Sequence, residues 1–248
     1  MSKLVIYTAL FGSYDNLFEP KEAYENCDFI CFTDQKGIKS NIWKIIVVDS
    51  SLGSPTMKNR TYKILTHKYL DDYENSLYID SNIIIKNNPY SIVMKYLDKC
   101  PFLMPKHILR NCLYQEAKVC VGIKKTPVLK TIKQLKRYNK EGFPVNFGLG
   151  ENNILLRKHN DKQVIKLMET WYNELEKETQ RDQLSLGYSL WINNQKFSYI
   201  TENSRKLNNF FTFSPHQTNM HNSLFSKMLI PLEFRFRKLI YHLIYFVK

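Results

Sequence analysis

Residues 78–85 read Tyr78-Ile79-Asp80-Ser81-Asn82-Ile83-Ile84-Ile85. A short apolar run from Leu77 to Ile79 stops at three polar residues, and a second apolar, β-branched run from Ile83 to Ile85 follows. Runs this short and this branched suit buried strands better than helices. The polar triplet is then the end of a strand. A carboxylate and a carboxamide two positions apart can both point at one hard cation, because oxygen ligands suit Mg²⁺ and Mn²⁺. The alternative is an ordinary turn started by Asp80 and stabilised locally by Ser81 and Asn82.

Outward from this stretch, similar runs recur at Leu4–Leu10, Phe29–Thr33 and Ile45–Val48. Between 57 and 73, apolar residues at 57, 61–62, 64–65 and 69–70 predict an amphipathic helix. Helices are further predicted from Pro89 to about Asp98, over Leu113–Lys124 and Pro127–Asn139, then about Lys162–Glu178 and Asp182–Asn193. Short strands are predicted at Pro101–Met104 and Asn153–Leu156, the second after a tight Gly148-Leu149-Gly150 turn. Strands alternating with helices imply an α/β fold with a mixed, mostly parallel sheet. The expected organisation is one catalytic-size domain over 1–222 and a tail over 223–248.

The 248 residues are 44% hydrophobic and 14% aromatic, which excludes a disordered chain. A net charge of +13 favours anionic partners: phosphorylated ligands, acidic lipid or nucleic acid. The basic residues are spread out rather than gathered into one aromatic-interleaved patch, so nucleic acid is not an expected partner. Five cysteines, with no CxxC pair and no His at zinc-finger spacing, argue against a disulfide framework or structural zinc and for reduced thiols in the cytoplasm. The run LVIYTALFG at 4–12 lacks a weighty cationic flank and a small-residue cleavage site, so it reads as a first strand rather than a leader.

The segment 223–248 places apolar residues at 225, 229, 232, 236, 239, 240, 243 and 247 among Lys227, Arg235, Arg237, Lys238 and Lys248. It predicts a basic amphipathic helix interrupted near Pro231, too short in its apolar runs to span a bilayer. Two roles stay open: contact with an anionic membrane face, and packing on the domain or a second subunit.

Seven segments, in order, carry a resemblance: TALFGSYD (8–15), CFTD (31–34), KNRTYKIL (58–65), YIDSNIII (78–85), PKHILRNCLYQEA (105–117), ENNILLRKHN (151–160) and RDQLS (181–185). Together they resemble the glycosyltransferase-like domain of plant pollen-tube and seed-mucilage proteins and its bacterial relatives. The order is also similar to the wider GT-A superfamily, in particular its glycogenin and galactosyltransferase-like branch.

The resemblance implies a GT-A-like, Rossmann-type fold and a nucleoside-diphosphate sugar donor, a UDP-sugar above all. Thr8, Ala9, Phe11, Gly12 and Tyr14 would then border base and ribose, since ligands bind outside the carboxyl ends of parallel strands. Asp34 would accept from base or ribose, or simply hold a turn. Arg60 and Lys63, three apart on one helix face, would clamp the diphosphate. Asp80 and Asn82 would hold Mn²⁺ or Mg²⁺, with His216 as a further ligand. Asn82 departs from the family's D-x-D pattern and removes one negative charge, which puts metal affinity in question.

By the same resemblance His107 and Arg110 would line the donor-sugar or acceptor side, with Glu116 beside them. Glu151, Asn152 and Asn153 would hydrogen-bond sugar hydroxyls; the Gly-Leu-Gly before them is not a dinucleotide fingerprint. Arg181, Asp182 and Gln183 would sit at the reacting centre, where Asp182 orients or deprotonates an acceptor hydroxyl; as a helix start, Asp182 has an ordinary explanation too. The expected activity is sugar transfer to a glycan or lipid-linked acceptor in bacterial surface-polysaccharide assembly, in the cytoplasm at the inner membrane face. A nucleotide-sugar binder without catalysis and a basic nucleic-acid-binding protein are the rival readings.

Overall fold

The computed structural model describes residues 3–12, 15–48, 53–215 and 234–242. The chain forms two compact units.

The first unit carries the sheet. Strand β1 (Leu4–Leu10) is buried along its whole length, as a central strand covered on both faces must be. It pairs in parallel with β2 (Cys27–Thr33) on one side and β4 (Asn75–Ile79) on the other, and β2 pairs in parallel with β3 (Lys44–Val47). Beyond β4 the sheet turns antiparallel through β7 (Ile154–Lys158) and β6 (Phe102–Pro105), and β8 (Tyr199–Ile200) closes it in parallel with β6. The order is β3-β2-β1-β4-β7-β6-β8. A second, two-stranded sheet joins β5 (Ile83–Ile85) to β9 (Phe211–Phe213). The α/β reading with a mixed, mostly parallel sheet holds, and β4 and β5 frame the Asp80-Ser81-Asn82 triplet as read. Both β8 and β9 are too short to register as sequence patterns.

The helix predicted over 57–73 is shorter. Helix α1 runs from Pro55 to Ile64, opened by Ser54, whose Oγ accepts from the Met57 amide at 3.2 Å. A 3₁₀ turn over Thr66–Lys68 follows. The cause is tertiary: the Lys63 and Ile64 carbonyls, which a continuing helix would use, accept side-chain donors from Tyr7 and Arg157. Helix α2 (Tyr90–Leu97) matches its prediction and buries Val93 and Leu97.

The second unit is helical. Its helices are α3 (Leu113–Gly122), α4 (Val128–Lys140), the C-terminal part of α5 (Lys162–Lys177) and α6 (Leu186–Ile192). The helix predicted over 182–193 is broken: Asp182–Leu184 form a 3₁₀ turn, and Ser185, at φ −125°, leaves the helical region before α6 begins. A helix over 234–242 belongs to this unit, and Tyr241 joins the buried cluster of Leu113, Ala117, Ile132, Leu135 and Tyr138. Arg237 Nε donates to the Val121 carbonyl at 2.9 Å. This part of the tail therefore packs on protein, while Phe236 and Leu239 stay exposed. Among the described residues no helix is long and apolar enough to cross a membrane.

Candidate functional site

The parallel pairing of β1, β2 and β4 brings their carboxyl ends to one edge of the first unit, and the loops leaving that edge carry the predicted residues. Asp80 leaves β4 there, its amide bonded to the Asn153 carbonyl at 2.9 Å. Its Oδ1 accepts from Lys63 Nζ at 3.2 Å and from the Tyr78 hydroxyl at 2.8 Å. The Lys63 side chain is only 2% exposed, whereas Asp80 keeps a third of its side chain open. Lys63 also lies over the Tyr78 ring, 4.9 Å from its centroid. Burial first, and then the Asp80 charge, push the Tyr78 hydroxyl well above its usual pKa, so it stays a donor to that carboxylate.

Asn82 is buried, and its Nδ2 donates to the Ser214 carbonyl at 3.1 Å while the Ser214 amide bonds the Asn82 carbonyl at 2.9 Å. Its amide nitrogen carries hydrogens and donates, so Oδ1 is the side-chain atom whose chemistry suits a cation. Asp80 Oδ2 and Asn82 Oδ1 are hard oxygen donors of the kind Mn²⁺ and Mg²⁺ take. Their charge is the weak point, because the Lys63 ammonium already offsets the single carboxylate. Among the described residues no three His, Cys, Asp or Glu side chains gather as a cation cage. The donor set fits a cation that arrives with anionic ligands of its own. His216 and Tyr14 lie outside the described residues.

The neighbouring side chains are polar and partly unsatisfied. Asn152 is buried, and neither its Oδ1 nor its Nδ2 has a partner. Asn153 donates to Ser204 Oγ at 2.9 Å, leaving its buried Oδ1 without one. Glu151 lies 3.6 Å from Arg205 Nε. Orphaned amides inside a folded unit are costly and uncommon, and a ligand is one way to satisfy them.

The loop after β1 is held by packing and by a side-chain latch. Phe11 is buried and stacks on Tyr62, rings 5.5 Å apart, so it serves packing. Gly12 has φ +72°, and a Cβ there would come within 2.7 Å of Pro55 Cβ, so only glycine fits. Asp34 Oδ1 accepts from the Gly12 amide at 3.1 Å and latches this loop to the end of β2. Thr8 is buried with its hydroxyl unpartnered, and the Ala9 carbonyl accepts from Asn59 Nδ2 at 2.6 Å. Asn59 in turn holds Arg60, whose Nη1 lies 2.7 Å from Asn59 Oδ1.

The second unit holds its own polar network. His107 Nδ1 accepts from the amides of Leu109 and Arg110 at 3.2 and 3.0 Å, which places the proton of the neutral ring on Nε2. Arg110 Nε meets Glu116 Oε2 at 2.5 Å, and His107 Nε2 is 3.7 Å from the same oxygen. Cys120 Sγ lies 3.2 Å from Glu116 Oε1, and burial pushes that thiol up to about 11, so it is no nucleophile at neutral pH. Arg181 Nη2 donates to Gln183 Oε1 at 3.0 Å and lies 3.9 Å from Asp182 Oδ1. Asp182 is buried, Oδ1 accepts from the Gln183 amide at 3.0 Å, and Gln183 Nε2 reaches the Gly150 carbonyl at 3.1 Å.

The structure thus gathers Lys63, Asp80, Asn82, Asn152 and Asn153 in one unit, and His107, Arg110, Arg181, Asp182 and Gln183 in the other. Tyr78, Asn59, Ser204, Arg205 and Arg157 escaped sequence reading. Tyr78 has the one legible signal, a tyrosine two residues before an acid on a strand, which puts both on the same face.

A family model described as TOD1/MUCI70, glycosyltransferase-like domain, matches residues 1–216. A protein of Arabidopsis thaliana described as probable hexosyltransferase MUCI70 is 26% identical over 213 residues, covering 74% of this chain. The chain spans 36% of that relative's length.

Proposed function

The chain belongs to the TOD1/MUCI70 glycosyltransferase-like domain family, and from that premise we propose that it moves a hexosyl group from a nucleoside-diphosphate sugar to a hydroxyl of a glycan or lipid-linked acceptor. The observation that carries this reading is Asp80 at the carboxyl end of β4, backed by Lys63 and Tyr78, with the unpartnered Asn152 amide and Asn153 Oδ1 in the same unit. That grouping supplies charge for a diphosphate and unspent hydrogen-bond capacity for sugar hydroxyls. A uridine diphosphate donor is the first candidate.

The chemistry asks for stabilisation of the departing diphosphate and for a held sugar. Lys63, released from Asp80 by an incoming anion, places an ammonium where negative charge grows, and Arg60 adds a second cation from the same helix. Asp80 and Asn82 would hold Mn²⁺ or Mg²⁺, which when bound neutralises phosphate oxygens. Asn152, through both amide atoms, and Asn153, through Oδ1, fix the sugar by pairing with its hydroxyls. In the second unit Glu116 holds Arg110, and His107 lies beside the same carboxylate. Burial of Asp182 and its use by the Gln183 amide favour an orienting role for it at the Arg181 guanidinium. A GT-A-type arrangement, work in bacterial surface-polysaccharide assembly and a place at the cytoplasmic membrane face complete the proposal. The net charge of +13 supports the last of these.

Thermal shift with UDP, GDP and CMP, with and without Mn²⁺, followed by donor-hydrolysis assays, tests it. One nucleotide at a hundred times its dissociation constant adds about 2.7 kcal/mol of stability. Nucleotide binding without hydrolysis or transfer would favour a non-catalytic binder. Indifference to every nucleotide, with salt-sensitive nucleic-acid binding, would sink the transferase reading.

A further inference from the structure

Arg157, on β7, is fully buried in the first unit. No carboxylate pairs with it among the described residues. Its Nη2 donates to the Lys63 carbonyl at 2.8 Å and to the Tyr7 hydroxyl, and its Nη1 to the Ile64 carbonyl at 3.3 Å, with Met168 Sδ at 3.4 Å. The Tyr7 ring lies beneath the guanidinium, 5.7 Å from its carbon, and the Tyr7 hydroxyl also bonds the Lys63 carbonyl at 2.9 Å. The cation is therefore stabilised by the last carbonyls of α1, the negative end of that helix's dipole. A buried charge without an ionic partner is expensive, and an apolar side chain would serve packing at less cost.

What the guanidinium achieves is placement. Two donors, from β1 and β7, converge on the carbonyl of the residue whose ammonium reaches Asp80. We propose that Arg157, aided by Tyr7, is a positioning residue: it fixes the end of α1 so that Lys63 stands at Asp80, and it touches no substrate. The inference rests on reading the Lys63–Asp80 pair as the diphosphate end of the donor site. It adds a residue that neither the spacing of motifs nor the site's own lining identifies.

Two measurements test it. The first needs no ligand: in ¹⁵N-lysine-labelled protein the Lys63 ammonium resonance, assigned by its loss in K63M, shifts in D80N. In R157K and Y7F that response to D80N shrinks at least about twofold, as expected for coupled neighbours. A response of full size in both variants overturns the proposal. The second is calorimetric titration of UDP with Mn²⁺ in a double-mutant cycle. R157K weakens binding about fivefold when Lys63 is present and less than about twofold in K63M. Equal loss in both backgrounds, tracking a fall in Tm, assigns Arg157 to stability alone and overturns the proposal. If no nucleotide binds wild-type protein while the ammonium result holds, the donor reading has failed and the positioning role stands.

Discussion

Lys63 Nζ lies 3.2 Å from Asp80 Oδ1, which sets a buried ammonium of the first unit against the acid that leaves β4. The pair is poised rather than closed. Asp80 is partly exposed and retains Oδ2, so on the proposed donor reading an arriving diphosphate would take the ammonium and free the carboxylate.

Replacing Asp80 by Asn keeps size and removes charge. D80N is expected to fold with a lowered Tm, because the Lys63 ammonium, 2% exposed, is left without its carboxylate. Donor hydrolysis should fall about a hundredfold or more, as when one charge-stabilising group is removed from an active site. Turnover within a few fold of wild type would rule out Asp80 as the metal and diphosphate group.

Lys63 predicts an opposite pair of effects. In K63M the carboxylate loses its competing cation, so Mn²⁺ should bind more tightly in the absence of nucleotide. Nucleotide affinity should drop about tenfold, the worth of one charge-assisted contact. Electron paramagnetic resonance of free Mn²⁺ measures the first and calorimetry the second.

Asn152 offers a test in which stability and activity separate. Its amide has no partner to lose, so N152A should leave Tm unchanged or raised, since removing an unsatisfied buried polar group removes its desolvation penalty. Donor turnover should decline about tenfold if the amide pairs with a sugar hydroxyl. A marked fall in Tm with intact turnover would return Asn152 to a structural role.

His159 predicts how stability follows pH. It is buried, Nε2 donates to the Leu70 carbonyl at 2.7 Å, and burial lowers its pKa from 6.5 to about 4. The folded ring is neutral where the unfolded one takes up a proton, so its contribution is complete above pH 6.5 and is lost as pH falls towards 4. The full shift corresponds to about 3 kcal/mol. Urea unfolding of wild type and H159Q at pH 7.5, 6 and 5 should show a steeper acid loss for wild type.

The sequence by itself determined strands β1 to β7 and the triplet between β4 and β5, because a strand buried on both faces must be continuously apolar and a polar interruption marks its end. It also marked Lys63, Asp80, Asn82, Asn152 and Asn153, whose residue types carry their chemistry openly. Helix ends were not legible: α1 stops at Ile64, not near Tyr73, because donors from Tyr7 and Arg157 claim its last carbonyls, and those residues stand 56 and 94 positions from Lys63. Phe11 packs on Tyr62, and Asp34, for which a turn and a ligand contact were both open, accepts from the Gly12 amide. The tertiary structure alone decided these points, since a side chain's partner depends on which strands lie side by side, and strand order is set by packing of the whole sheet rather than by any local pattern.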